Sequence, residues 1–250
     1  MERAAVSGRL RWWNGEVVEK IQDTPTASSM TVNVPGWPGH RAGQHVDVRL
    51  TAEDGYQAVR SYSIASAPDD PNLMLTIERL DDGEVSPYLV DDVLPGDPIE
   101  FLGPIGGFFV WSPDMGGPLL LIAGGSGIAP LMSIARHRVR TGSDVPLRML
   151  YSARSDQDLI FRNELDEAAS SHSGFELTYT LTRRHPPGWT GFARRIDLDM
   201  LRDVAWEPAQ QPIIYICGPT PFVEVASSLL LELGHDPQRI RTERFGPTGG

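Results

Sequence analysis

The chain is short of the residues that mark several specialised classes of protein. Of its 250 residues, one is cysteine (Cys217) and one is lysine (Lys20). A single cysteine permits no disulfide within the chain, no cysteine-rich zinc site and no cysteine-ligated iron–sulfur cluster. Positive charge is also scarce. Against 33 Asp and Glu stand 22 Lys and Arg, a formal net charge of −11. That balance argues against non-specific binding to nucleic acid or to an anionic membrane. The six histidines, His40, His45, His137, His172, His185 and His235, show no metal-ligand spacing among themselves or with Asp and Glu, so no metalloenzyme centre is expected.

Long apolar runs are missing as well. Gly116 to Ile134 carries no charge and approaches the ~20 residues of a bilayer span. It is broken, however, by Gly116, Gly117, Pro118, Gly124, Gly125, Gly127 and Pro130, and reads as strand, tight loop and helix. Met1–Arg9 has no apolar core for a signal peptide. A soluble, cytoplasmic protein with no membrane partner is expected. At ~100–200 residues per domain, the length allows one large or two small domains.

Two kinds of periodicity divide what is there. Over the first ~110 residues, Glu16–Gln22, Ser29–Val34, Gln44–Leu50, Tyr56–Ile64, Leu73–Leu80 and Pro98–Leu102 are short extended runs separated by Gly, Pro and Asp turns. Such spacing predicts a small antiparallel barrel, interrupted by one helical segment at Ser86–Val93. The second half alternates instead. Strands are expected at Leu119–Ala123, Leu147–Tyr151, Glu176–Leu181, Ile213–Cys217 and Arg239–Phe245. Helices are expected at Ile128–Arg140, Leu159–Ala169, Leu198–Ala205 and Phe222–Leu233. Alternation of this kind predicts a parallel sheet covered on both faces. The fold class is therefore a β barrel plus α/β. The boundary is expected at the Pro- and Gly-rich stretch after Trp111, giving domains 1–112 and 113–250. In open parallel sheets ligands sit at the carboxyl ends of the strands, so the loops after Ala123, Tyr151, Leu181 and Cys217 are the ones to inspect.

Four motifs carry chemistry. Gly124-Gly125-Ser126-Gly127-Ile128-Ala129-Pro130 follows a buried strand and opens a helix. Glycines let backbone approach a phosphate, and the helix start supplies free N–H groups. Proline replaces the third glycine of a full dinucleotide fingerprint, and Ile128 rules out a hydrolase nucleophile elbow around Ser126. Cys217-Gly218-Pro219 ends another buried strand; packing is the bland account of such a cysteine. Arg60-Ser61-Tyr62-Ser63 lies on a barrel strand, and Gly83-Glu84-Val85-Ser86 precedes the barrel's only helix. An arginine fork suits a diphosphate, and a tyrosine offers an aromatic plane.

In this order, from about Arg11 to Phe245, the motifs resemble the ferredoxin–NADP reductase superfamily. The resemblance implies an FAD-binding barrel followed by an NAD(P)-binding domain, with hydride transfer between NAD(P)H and the flavin N5. It implies that Arg60 holds the FAD diphosphate, Tyr62 packs on the isoalloxazine and Ser63 hydrogen-bonds near N5. Gly83, Val85 and Ser86 would cradle the diphosphate, while Gly124, Gly125 and Gly127 admit the nicotinamide dinucleotide. Cys217, flanked by Gly218 and Pro219, would sit near the nicotinamide C4. Glu243-Arg244-Phe245 resembles the family's acid-x-aromatic terminus, with Glu243 catalytic and Phe245 over the flavin. Gly246–Gly250 continue past it.

Arg154 and the pair Thr182-Arg183 resemble the positions that grip a 2′-phosphate, which favours NADP(H) over NAD(H). The further arginine expected after Thr190-Gly191 is out of register, since Phe192-Ala193-Arg194-Arg195 follows. At Glu78 the chain has an acid where relatives often carry a basic or small residue, and no role is transferred there. Hydride transfer needs no side-chain nucleophile, because the cofactor carries the chemistry and the protein orients it. The acceptor is expected to be separate: a ferredoxin, flavodoxin, haem protein, oxygenase partner or small oxidant. The alternatives are a free-flavin or ferric-chelate reductase, or a non-catalytic flavin-binding sensor or subunit.

Overall fold

The computed structural model describes residues 10–246. The tail beyond Gly246 lies outside the described residues. Six antiparallel strands come first: β1 (Arg11–Thr24), β2 (Ala27–Asn33), β3 (His45–Thr51), β4 (Gln57–Ser63), β5 (Leu73–Glu78) and β6 (Pro98–Ile105). Their order across the sheet is β4-β3-β6-β1-β2-β5. An Ile64–Leu75 bridge, with the Ala65 N–H donating to Met74 O at 2.8 Å, draws the two outer strands together into a barrel. Val17, Met30, Val32, Val46, Val48 and Phe101 fill the interior. Burying such side chains contributes ~1.5–3 kcal/mol each.

β1 is twice the length expected, because its first half reads Trp12-Trp13-Asn14-Gly15, which resembles a turn. Gly15 serves close packing instead: a Cβ there would stand 2.5 Å from Val32 Cγ1. The helical segment expected at Ser86–Val93 is present from Ser86 to Asp92, its last five residues, Tyr88–Asp92, wound as a π-helix, with Leu89 buried in the barrel.

The second sheet is parallel, in the order β11-β10-β7-β8-β9. Its strands are β7 (Leu119–Gly124), β8 (Leu147–Ala153), β9 (Phe175–Leu181), β10 (Ile213–Pro219) and β11 (Ile240–Phe245). The helices are α1 (Ile128–Arg140), α2 (Arg162–Ser171), α3 (Leu198–Val204) and α4 (Thr220–Glu232). Every residue of β7 is buried. Leu119, Leu121 and Ala123 pack on one face with α1, and Leu120 and Ile122 on the other with α3 and α4. This two-sided burial is why the strand reads as an unbroken apolar run. α2 starts later than expected, since Asp156–Asp158 form a 3₁₀ turn and Phe161 takes a left-handed conformation with φ 59°.

α1 joins the two units. Ser133 Oγ donates to Ser66 O at 2.7 Å, and Arg136 Nη1 donates to Ala65 O at 2.8 Å. His137 Nδ1 lies 3.2 Å from Asp69 Oδ2, and Arg140 pairs with Asp70. On the other side, Tyr215 Oη donates to Val110 O at 2.7 Å. These contacts seat the segment that follows β4 along α1.

Candidate functional site

The glycine motif is a strand end, a 3₁₀ turn at Gly125–Gly127 and the start of α1. Its glycines are required by space. A Cβ on Gly127 would lie 2.2 Å from Cys217 O, and one on Gly124 or Gly218 would lie 2.8 Å from Phe222 Cδ1. Gly125 adopts φ +57°, the left-handed region that glycine enters without cost. The result is a tight packing of the turn on the end of β10, which sets the start of α1 beside Cys217 and Gly218.

Beside this turn, Cys217 of β10 pairs in register with Ala123 of β7 and with Glu243 of β11. The next pairs, Gly218 with Arg244 and Pro219 with Phe245, carry the two strand ends forward together. Cys217 is buried, and burial, reinforced by the Glu243 charge, pushes its thiol well above the ordinary range. Cys217 is therefore a neutral, apolar neighbour and no nucleophile. Burial also pushes the Glu243 carboxyl up to about 7. Phe245 is partly buried against the same core.

On the barrel side, Arg60 is exposed on β4 and donates through Nη2 to Glu84 Oε2 at 2.8 Å. That bond ties β4 to the Gly83–Ser86 loop. Tyr62 is half-buried against the barrel core, and burial lifts its phenol to about 12. Ser63 ends the strand opposite His45. A Cβ on Gly83 would lie 2.8 Å from Ser86 Oγ, which itself accepts from the Leu80 N–H at 3.0 Å. Val85 turns its side chain into the barrel core, leaving only its backbone to face outward. Glu84 was not singled out from sequence, and Glu78, noted there as an unusual acid without a role, accepts through Oε2 from Ser126 Oγ at 2.6 Å across the two units.

The loops after β8 and β9 are laced together. The Thr182 N–H donates to Ala153 O at 2.9 Å; those of Arg183 and Arg184 donate to Arg154 O at 2.9 and 3.1 Å. Arg154, Arg183 and Arg184 are exposed at one end of the sheet and form no ion pair among the described residues. Arg184 was missed by motif matching but stands beside the expected pair. Arg194 is committed elsewhere, donating to Asp197 Oδ2 at 2.5 Å. No group of three or more His, Cys, Asp or Glu suited to a metal occurs among the described residues, and no helix there is long and apolar enough to cross a membrane.

A barrel followed by a parallel sheet, with a glycine turn at their junction, defines a two-domain dinucleotide-binding architecture. Comparison with known proteins makes the class specific. The oxidoreductase FAD-binding domain matches residues 18–110, and the oxidoreductase NAD-binding domain matches residues 121–228. Ferredoxin–NADP reductase B of Sorangium cellulosum is 34% identical over 211 residues, 82% of this chain and 84% of that protein. The glycine betaine monooxygenase reductase subunit of Pseudomonas aeruginosa is 36% identical over 211 residues; the match covers 83% of this chain but 57% of the relative's length. Among solved structures, the Amycolatopsis cytochrome P450 reductase GcoB superposes with a TM-score of 0.83 at 29% identity, covering 98% of this chain and 74% of that one. The chain belongs to the ferredoxin–NADP reductase family of FAD- and NAD-binding oxidoreductases.

Proposed function

We propose that this chain is an FAD-dependent reductase that draws hydride from NADPH and delivers electrons to a separate acceptor, most plainly an oxygenase, ferredoxin or haem protein. The observation that carries this reading is the packing of the Gly124–Gly127 turn on Cys217, itself paired in register with Glu243, with the barrel's Glu78 reaching Ser126 at the same place. The relatives named for monooxygenase, ferredoxin and cytochrome P450 partners support the choice of acceptor class.

The residues present fit the two nucleotides. Gly127 lets the turn pack directly on the Cys217–Gly218 backbone, which sets the glycine turn against the end of β10 where a dinucleotide would lie. Bound FAD supplies a centre that accepts two electrons together and releases them singly. The chain's own residues would then do the following. Arg60, now held by Glu84, would supply its fork to the diphosphate, and the Gly83–Ser86 backbone would help to hold it. Tyr62 offers its ring face, and the Ser63 hydroxyl, two residues before Ala65 is pinned by α1, presents one oriented hydrogen bond. Neutral Cys217, and a Glu243 carboxyl raised to about 7 and so only partly ionised near neutral pH, would lessen the negative charge at the nicotinamide position. Phe245, paired with Pro219 at the strand end, would be the aromatic side chain available to shield a bound flavin.

Arg154, Thr182 and Arg183 support the choice of NADPH, because unpaired guanidinium forks suit a phosphate dianion. The proposed domains are the barrel through residue 112 and the dinucleotide domain from 113. A cytoplasmic setting fits this soluble-cofactor chemistry. The test is steady-state kinetics of the FAD-loaded protein with each nucleotide. A kcat/KM for NADPH at least tenfold above that for NADH is expected; equal values, or a preference for NADH, would overturn the assignment.

A further inference from the structure

The glycine turn already faces an anion supplied by the protein. Glu78 is the last residue of β5, and its carboxylate crosses to the second domain. Oε2 accepts from Ser126 Oγ at 2.6 Å and stands 4.0 Å from where a Cβ on Gly125 would lie. No ion pair neutralises it among the described residues, and the adjacent Arg79 is turned to Asp81 and Asp91. A negative charge at this place is favoured by the positive end of the α1 dipole, the same field that would attract a nucleotide diphosphate. Carboxylate and diphosphate therefore compete for one hydroxyl and one field.

We propose that Glu78 sets the affinity of the dinucleotide site: its carboxylate holds the Ser126 hydroxyl in place of a phosphate oxygen and repels the incoming diphosphate. The inference rests on the reading of Gly124–Gly127 as the nucleotide turn. Loose binding of this kind hastens departure of the oxidised nucleotide, which clears the flavin face for the electron acceptor. Ser126 is the switch point, donating to Glu78 when the turn is free and to phosphate when nucleotide is seated.

The experiment is calorimetric titration of the FAD-containing protein with NADP⁺, with ADP and with adenosine 2′-monophosphate, at low and high salt. Glu78→Gln keeps an acceptor for Ser126 and removes the charge. It should tighten NADP⁺ and ADP about five- to tenfold at low salt, and the gain should shrink at high salt. Adenosine 2′-monophosphate, which lacks the diphosphate, should bind Gln and wild-type proteins alike. Glu78→Asp, which retains the charge one methylene further back, should lie between them and serves if the Gln variant does not fold. Unchanged or weaker NADP⁺ binding in Glu78→Gln would show that the contact only ties the domains together. A gain extending equally to adenosine 2′-monophosphate would show a net-charge effect and would likewise overturn the proposal. If wild type binds neither NADP⁺ nor ADP, the reading of the turn itself fails along with it.

Discussion

Glu243 offers the sharpest test of how burial shapes the site. Its carboxyl, ordinarily near 4.5, is pushed to about 7 by desolvation alone. Between these values the folded protein keeps a proton that the unfolded chain has lost. Stability conferred by that proton is fully present below pH 4.5 and disappears as the pH rises through 7. At ~1.36 kcal/mol per pH unit the full effect is about 3 kcal/mol. The side chain is partly exposed, and screening reduces this to ~2 kcal/mol. Glu243→Gln stays neutral throughout, so it should lose this dependence and exceed wild type by ~2 kcal/mol at pH 7.5. Urea unfolding midpoints of both proteins, taken at intervals from pH 4.5 to 7.5, measure the difference. Subtracting one curve from the other matters, because burial lowers the imidazoles of His40, His45 and His235. A neutral buried histidine gives a slope of opposite sign over part of the same window. Parallel curves for the two proteins, or a Gln variant weaker at pH 7.5, would refute the argument.

Further expectations follow from the same geometry. Ser63→Ala should retain FAD but slow flavin reduction about tenfold in transient kinetics, the effect of one oriented hydrogen bond; an unchanged rate would remove Ser63 from the catalytic set. Arg183→Ala should raise KM for NADPH by tenfold or more while leaving KM for NADH within about twofold, measured by initial rates. Arg60→Ala should weaken FAD binding by roughly 10–100-fold in equilibrium dialysis, since a charge-assisted fork is lost. Gly127→Ala places a Cβ 2.2 Å from Cys217 O. It should lower stability by ~2–3 kcal/mol on chemical unfolding, because backbone must move on both strands.

Much of this was legible in the residues. The wholly apolar Leu119–Ala123 could only be a strand buried on both faces, and the glycine cluster after it marked the end where ligands gather. The later strands and helices follow from alternation for the same reason. What escaped was set by contacts distant in sequence. Asn14-Gly15 looks like a turn until Val32 is seen pressing on Gly15. The segment Ser86–Asp92 is helical as expected, but its π-type winding over Tyr88–Asp92 has no local signal. Glu78 and Ser126 are 48 residues apart, and no local pattern joins them. Arg184 has no motif of its own, and it is the pairing of two loops on Arg154 O that brings the backbones of the three arginines together.

The central claim is that the junction of barrel and parallel sheet passes electrons from a pyridine nucleotide through flavin to a partner. The direct measurement is anaerobic mixing of the FAD-loaded protein with NADPH, followed by addition of oxidised acceptors from a panel of ferredoxins, flavodoxins, haem proteins, free flavin and ferric chelates. The account predicts rapid loss of the yellow flavin band, then its return with saturable, salt-sensitive kinetics on addition of a protein acceptor. A protein that binds FAD yet keeps its colour with both NADPH and NADH would contradict it.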